Sequence, residues 1–278
     1  MVAPSFLYIG PDKAGSSWMF NVLSAHPECY VPEAKDLYFF DRHYDRGIGW
    51  YLSQFEAGSE SVAVGELSHD YLFSVPAATR IFECFPSVKL IASLRNPINR
   101  SLSHYQYLRR SGEVPVGFWD AIEKRPDIVS NSKYFMHLEP YLELFPRSQL
   151  SLLLFDDLER DPESFGRQLL DSIGLQPVPG LPFGERVRAA EAARFAPLAR
   201  TGKALANGLR QVGAVNLLGR LKRSRASQLL YRPLGEDERP SLSADERIRL
   251  WTSEFQDDVE RLSGVVDFNL SSWEPEGI

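Results

Sequence analysis

The stretch FLYIGPDKAGSSW, Phe6 to Trp18, decides the fold. Its apolar run Phe6–Gly10 ends in a glycine-bounded loop, which predicts a buried strand running into a turn. Beyond the loop, Trp18, Met19, Val22 and Leu23 recur at helical spacing, with Ser16 and Ser17 as N-cap candidates. That helix is expected to stop near His26–Pro27, because proline disfavours helix in the residue before it. A nucleotide-binding P-loop reads G-x-x-x-x-G-K-[ST]. Gly10 and Gly15 have that spacing, but Ser16 follows where the lysine belongs, and the lysine stands inside the loop as Lys13.

The same alternation continues outward. SVAVGEL, Ser61–Leu67, reads as a second strand and Pro76–Phe85 as a helix. VKLIASLRNP, Val88–Pro97, reads as a third strand that breaks at Asn96–Pro97 into a helix through Tyr107. SQLSLLLFDDL is a fourth, followed by a helix from about Pro162 to Ile173. Continuous apolar runs alternating with helices predict an α/β fold with a central parallel sheet covered by helices on both faces. One domain over residues 1–278 is expected, with a core of about 5–175 and a helical C-terminal extension over about 184–278.

Bulk composition narrows the function classes. With 278 residues, 44% hydrophobic and 24% charged, the chain has the material for a sizeable core. The net charge of −6 argues against a nucleic-acid partner. Two cysteines, Cys29 and Cys84, make neither a disulfide framework nor a metal-binding set. The opening MVAPSFLYIG lacks a basic n-region and a long apolar run, so no signal peptide is expected. No run approaches the roughly 20 apolar residues of a membrane span, and a cytoplasmic protein is expected. The charge is uneven: between Gly184 and Gly235 there are eleven Arg or Lys and two acids, Glu185 and Glu191. This segment is either a solvated basic face or a basic flap toward an anionic ligand.

In a strand–loop–helix unit the loop amides and the helix N-terminus favour an anion. Gly15 permits close backbone approach, Ser16 and Ser17 add hydroxyls, and Lys13 adds a positive charge. Arg95 is placed at a strand's C-terminal end, where open α/β sheets bind ligands. Ser103, eight residues on, lies about two turns into the next helix. Together they suit a second phosphate; the bland alternative is that Arg95 pairs with a carboxylate and Ser103 caps or packs.

Taken in order, several blocks resemble the sulfotransferases that use 3′-phosphoadenosine 5′-phosphosulfate (PAPS), of the heparan-sulfate N-/3-O-sulfotransferase type. GPDKAGSSW resembles the loop that binds the 5′-phosphosulfate, and LSAHPECYVPEAKDLYFFD resembles an L-x-x-HP…KE-L-x-FFD block. GIGWYLSQF, VGELSHDYL and SLRNPINRSLSHY resemble three further elements, the last of which binds the 3′-phosphate. YFMHLEPYLELFP and LLLFDDLERDP resemble the stretch closing the core, so the likeness runs from about residue 5 to 175.

That resemblance implies a sulfotransferase fold and transfer of a sulfuryl group from PAPS to a hydroxyl or amine, with 3′-phosphoadenosine 5′-phosphate (PAP) as product and no metal required. It implies that Lys13 contacts the bridging oxygen of the donor, and that Ala14, Gly15, Ser16, Ser17 and Trp18 belong to the 5′-phosphate loop. Arg95 and Ser103 would take the 3′-phosphate. Asp36 stands at the position of the family's catalytic glutamate and would be the general base, with Glu66 and Glu33 as alternatives. Tyr38, Asp41, Glu66 and His69 fall on the acceptor side.

Three departures stand out. Asp36 is one methylene shorter than glutamate, Tyr38 stands where some relatives have histidine, and Leu67 replaces the lysine of a G-E-K-S element. A basic loop before the final helix would close over the donor, with Arg232 and Arg239 the nearest cations. The acceptor implied is a glycan, glycolipid or small secondary metabolite, in a bacterial enzyme. Against this stand a kinase or NTPase, which would want a lysine after Gly15, a non-catalytic nucleotide-binding protein, and a nucleic-acid module resting only on the basic segment. His26, His43, His104 and His137 read as packing or surface residues, Asp156 and Asp157 as turn or capping residues, and Trp50, Tyr51 and Phe55 as core.

Overall fold

The structure, a computed structural model, describes residues 1–115, 117–185, 191–193, 231–233 and 241–277. In chain order the elements are β1 (Phe6–Gly10), α1 (Ser16–Ala25), β2 (Cys29–Tyr30), α2 (Phe39–Arg42), α3 (Gly47–Ser53), β3 (Ala63–Leu67), α4 (Val75–Cys84), β4 (Lys89–Leu94) and α5 (Pro97–Arg110). There follow α6 (Phe118–Lys124), α7 (Asp127–Ser130), α8 (Tyr134–Leu144), β5 (Leu150–Leu154), α9 (Phe155–Arg160), α10 (Pro162–Ile173), β6 (Glu191–Ala193), β7 (Tyr231–Pro233), α11 (Ala244–Leu250) and α12 (Gln256–Ser263). Two compact units divide them. One comprises Met1–Arg95, Tyr134–Val187 and Gly264–Phe268; the other comprises Asn96–Lys133, Arg188–Ser263 and Asn269–Ile278.

The first unit holds the sheet, in the order β2-β3-β1-β4-β5. Every pairing in it is parallel, and the expected α/β architecture is present. β1 is central and all five of its residues are buried, which is why its sequence reads as continuous apolar rather than alternating. Its register with β3 sets Phe6 opposite Gly65, Leu7 opposite Glu66 and Tyr8 opposite Leu67. A Cβ on Gly65 would lie 2.3 Å from the Phe6 carbonyl oxygen, so only glycine fits there.

Side-chain alternation builds two cores. Phe6, Tyr8 and Ile91 face one way and pack with Trp18, Met19 and Val22 of α1 and Phe165, Leu169 and Leu170 of α10. Leu7, Ile9, Leu90 and Ala92 point the other way and have no exposed surface. Each fully buried Leu, Ile or Phe of this kind contributes roughly 1.5–3 kcal/mol relative to exposure.

The expected elements are found within a residue or three of their places, with three differences. α1 begins at Ser16, and its cap is Gly15 in the left-handed region rather than a serine hydroxyl. The fourth strand stops at Leu154, and Phe155, Asp156 and Asp157 already open α9. β2 has only two residues, too short to leave a pattern in the sequence.

In the second unit, Asn96 caps α5 by accepting from the backbone N–H groups of Ile98 at 3.1 Å and Asn99 at 3.2 Å. Ser243 and Glu246 cap α11 reciprocally, and the helix runs through a π-type turn, Trp251–Phe255, into α12. β6 and β7 pair antiparallel, Ala192 opposite Arg232. Arg239 lies outside the described residues, as does the basic segment apart from its first two residues and these two strands. No helix among the described residues is long and apolar enough to cross a membrane.

Candidate functional site

The loop between β1 and α1 depends on unusual backbone. Gly10 has φ +139°, Lys13 +64° and Gly15 +86°. A Cβ on Gly10 would lie 2.3 Å from the His69 carbonyl oxygen, and one on Gly15 would lie 2.8 Å from Leu158 Cδ2. The two glycines therefore let the loop lie against the segment after β3 on one side and α9 on the other. Ala14 is fully buried between them, and Lys13 and Ser17 are half-buried.

The first helical hydrogen bond of α1 runs from Met19 N–H to the Gly15 carbonyl at 3.0 Å. The N–H groups of Ser16, Ser17 and Trp18 have no acceptor within the helix, and the positive end of its dipole lies beside Lys13. Trp18 offers only its backbone here: its indole N–H donates to the Phe183 carbonyl at 3.3 Å and its ring packs edge-on against Phe165.

Arg95 follows β4, as expected for a residue at a strand's C-terminal end. Its Nη1 donates to the Lys13 carbonyl at 3.1 Å, so it braces the loop. The guanidinium lies 4.5 Å from the Phe155 ring centroid and 3.8 Å from Glu159 Oε1. Burial lowers its pKa from the ordinary value, with Glu159 working in the opposite direction. Tyr134 holds the Arg95 backbone by donating to its carbonyl at 2.8 Å. Ser103 lies half-buried on α5 in the second unit.

The second cluster joins the turn after β2 to the segment after β3. Asp36 and Tyr38 are both left-handed, at φ +66° and +52°. Asp36 Oδ1 lies 2.7 Å from His69 Nδ1 and 3.4 Å from Lys35 Nζ. His69 Nε2 lies 3.2 Å from the Tyr38 hydroxyl and 3.3 Å from Asp70 Oδ1. Burial opposes a charged His69, but Asp36, through its charge and hydrogen bond, and Asp70 outweigh it and raise the imidazole pKa. Arg42 pairs with Asp70, lies 3.2 Å from Asp41 Oδ2 and covers the Tyr38 ring at 4.1 Å. Burial pushes the Asp41 carboxyl up to about 6, Arg42 pulling it back.

Glu66 lies beneath this cluster, only 1% exposed. It accepts from Tyr51 at 2.9 Å, Tyr71 at 2.7 Å and Ser68 at 2.8 Å. Burial pushes its carboxyl up to about 7 against those three hydroxyls. Leu67 is 1% exposed within the core, so the residue that replaces the expected lysine lines no open surface.

The structure thus brings Asp36, Tyr38, Asp41, Glu66 and His69 together and sets Lys13 to Trp18 beside Arg95. Lys35, Arg42, Ser68 and Asp70 belong to the same cluster without having been marked by sequence reasoning; Ser68 and Asp70 flank His69, and that proximity was the only signal. Tyr51 is buried as expected, but its hydroxyl has a specific partner. Among the described residues no group of three or more His, Cys, Asp or Glu is gathered as for a metal ion.

Comparison with known proteins decides the family. The sequence profile described as the sulfotransferase domain matches residues 3–185. The chain belongs to the sulfotransferase family. Its relatives include the membrane-associated sulfotransferase kil1 of Dictyostelium discoideum, 31% identical over 45% of this chain and 29% of that protein. They also include heparan sulfate glucosamine 3-O-sulfotransferase 3A1 of Mus musculus, 29% identical over 62% of this chain and 46% of that protein. A third is the bifunctional heparan sulfate N-deacetylase/N-sulfotransferase 3 of Homo sapiens, 30% identical over 63% of this chain and 22% of that protein. This chain spans less than half the length of each of these relatives. Among solved structures, a sulfotransferase from Alicyclobacillus acidocaldarius shares the fold with a TM-score of 0.69 at 22% identity, over 98% of this chain and 99% of that one.

Proposed function

We propose that this member of the sulfotransferase family moves a sulfuryl group from PAPS to a hydroxyl or amine of a carbohydrate, glycolipid or small secondary metabolite. The observation that carries the reading is the adjacency of two unlike sites. A lysine-bearing, N–H-rich loop lies with Gly10 against the His69 backbone, and His69 in turn holds the Asp36 carboxylate at 2.7 Å.

The residues present fit a phosphosulfate donor. First-turn N–H groups of α1, the Lys13 ammonium and the Arg95 guanidinium are one polarity, suited to anionic oxygens. PAPS supplies a sulfuryl group joined to a phosphate leaving group, and PAP remains. In this reading Ala14 to Trp18 hold the 5′-phosphate through N–H groups, with hydroxyls from Ser16 and Ser17. Lys13 stabilises the negative charge that grows on the leaving oxygen. Arg95 and Ser103 are each proposed as 3′-phosphate ligands, and Arg232 and Arg239 as donor-binding cations.

Asp36 accepts the acceptor's proton as the nucleophile attacks sulfur in line. Its shorter side chain is carried on a left-handed backbone, and His69 and Lys35 fix the carboxylate. Tyr38, Asp41 and His69 would contact the acceptor. Glu66 is the weaker candidate for the base, since all its hydrogen bonds point into the fold.

Thermal shift with PAP, ATP plus magnesium, and AMP tests the donor class. A ligand that binds only the native state stabilises it, by about 2.7 kcal/mol at a hundredfold excess over its Kd. PAP is expected to raise the melting temperature, with little response to AMP; a larger response to ATP–magnesium defeats the reading. A sulfur-labelled donor with a panel of glycan, glycolipid and phenolic or amine acceptors then names the acceptor.

A further inference from the structure

The turn that carries Asp36 is costly to form. Left-handed backbone costs a residue such as Tyr38 roughly 1–2 kcal/mol and an Asp less, and Asp36 and Tyr38 are two left-handed residues two positions apart. Its backbone must be held from outside. Asp36 N–H donates to the Leu67 carbonyl at 2.9 Å, Tyr38 N–H to Ser68 Oγ at 3.2 Å, and Phe39 N–H to the Tyr71 hydroxyl at 2.9 Å. Two of those three acceptors are hydroxyls. A hydroxyl is a dependable acceptor for a backbone N–H only when its own proton is committed elsewhere.

Both protons go to one side chain. Ser68 donates to Glu66 Oε2 and Tyr71 to Glu66 Oε1, while Tyr51 donates to Oε1 as well. The Glu66 oxygens accept all three of these bonds, so the carboxyl orients the hydroxyls around it and leaves their lone pairs facing the turn. We infer that Glu66 is a positioning residue: through Ser68 and Tyr71 it holds the Tyr38 and Phe39 N–H groups, and so sets the Asp36 carboxylate against His69. The link to catalysis rests on the reading of Asp36 as base, whereas the link to the geometry of Asp36 does not.

The two links are measured separately. In the full chain with PAP, long-range proton–nitrogen NMR follows the titration of the His69 imidazole. The charged or titratable groups facing that ring are Asp36, Asp70, Tyr38 and Lys35, and none of them is changed in the variants. Glu66→Ala is expected to lower the His69 pKa toward the ordinary value of 6.5 as Asp36 moves off Nδ1. Glu66→Gln, whose carbonyl still accepts from both tyrosines, is expected to retain most of the elevation. Ser68→Ala and Tyr71→Phe each remove one of the two hydroxyls and are expected to give a partial fall; they carry the test should Glu66→Ala not fold.

In transfer assays Glu66→Ala is expected to lose tenfold or more in kcat, with KM for PAPS and affinity for PAP unchanged and with recovery in Glu66→Gln. An unshifted His69 titration in all the variants overturns the inference, as does a loss confined to PAP affinity. If the wild-type chain transfers no sulfuryl group, the proposed function fails, and the His69 titration still decides what Glu66 positions.

Discussion

The loop between β1 and α1 and the turn between β2 and α2 lie side by side and are held by opposite means. In the loop, backbone does the holding: two glycines at positive φ admit α9 and the His69 carbonyl, and the first-turn N–H groups of α1 have no acceptor within the helix. In the turn, side chains do it: Asp36, His69, Tyr38, Ser68, Tyr71 and Glu66 form one connected set of hydrogen bonds. A backbone site leaves a fixed spacing in the sequence, since the glycines must stand where the chain bends. A side-chain site is assembled from residues thirty positions apart, which the parallel pairing of β2 and β3 brings together.

The comparison predicts that the loop tolerates least at its lysine. Lys13→Ala is expected to lower kcat by about 10²–10³-fold, the usual cost of removing one preorganised charge-stabilising donor. PAP should still raise the melting temperature, because N–H groups and Arg95 remain. A loss smaller than tenfold, measured with labelled donor, would mean that the charge on the leaving oxygen is met elsewhere and would end the parallel between loop and turn.

On the turn, Asp36→Asn keeps the shape and removes the base. A loss of about 10²-fold in kcat is expected, with PAP binding intact. Full activity would move the proton to another group of the cluster, with His69 the first to examine.

The same contrast explains what was legible. The strand–loop–helix of residues 6–25, the break at Asn96–Pro97 and the helix Pro162–Ile173 follow from apolar runs, helical spacing and prolines, all local signals. Asp36, Tyr38, Asp41, Glu66 and His69 could be marked only because their blocks resemble a family. That Asp36 and His69 touch, and that Glu66 faces three hydroxyls, depends on β1 and β3 pairing in one register and on a two-residue strand that periodicity does not reveal. The serines after Gly15 misled for a related reason: a left-handed glycine starts the helix without any side-chain cap, and nothing in the serines themselves announces it.

Glu66 also gives the turn a stability signature that the loop lacks. Its carboxyl moves from 4.5 to about 7 on folding, so the native state favours the protonated form. The stability this contributes is fully present below about pH 4.5 and is lost as pH rises through about 7, a span worth about 3 kcal/mol at most. Asp41, raised from 3.8 to about 6, overlaps this window, and His69, raised from 6.5, extends it upward in the same sense. The difference between wild-type and Glu66→Gln unfolding curves isolates the Glu66 part. Wild-type stability should fall relative to the variant between about pH 4.5 and 7, and parallel curves would show that the carboxyl is not shifted by folding.

The smallest effect expected belongs to the loop's backbone. Gly15→Ala places a Cβ 2.8 Å from Leu158 Cδ2 on a residue at φ +86°. The left-handed conformation alone costs about 1–2 kcal/mol, which for a chain of this size lowers the melting temperature by roughly 2–8 °C. Gly49, in α3 with no neighbour within 4 Å of its Cβ position and no positive φ, is the control; there alanine should be neutral or slightly stabilising, since glycine inside a helix is the poorer residue. The Leu158 methyl is the end of a flexible side chain and gives way, so the variant is expected to fold with the loop displaced. That makes PAP affinity the sharper reading. A fall in affinity larger than the stability loss would show that the path of the backbone, and not glycine's freedom alone, holds the phosphate end, whereas equal losses would reduce Gly15 to a cap.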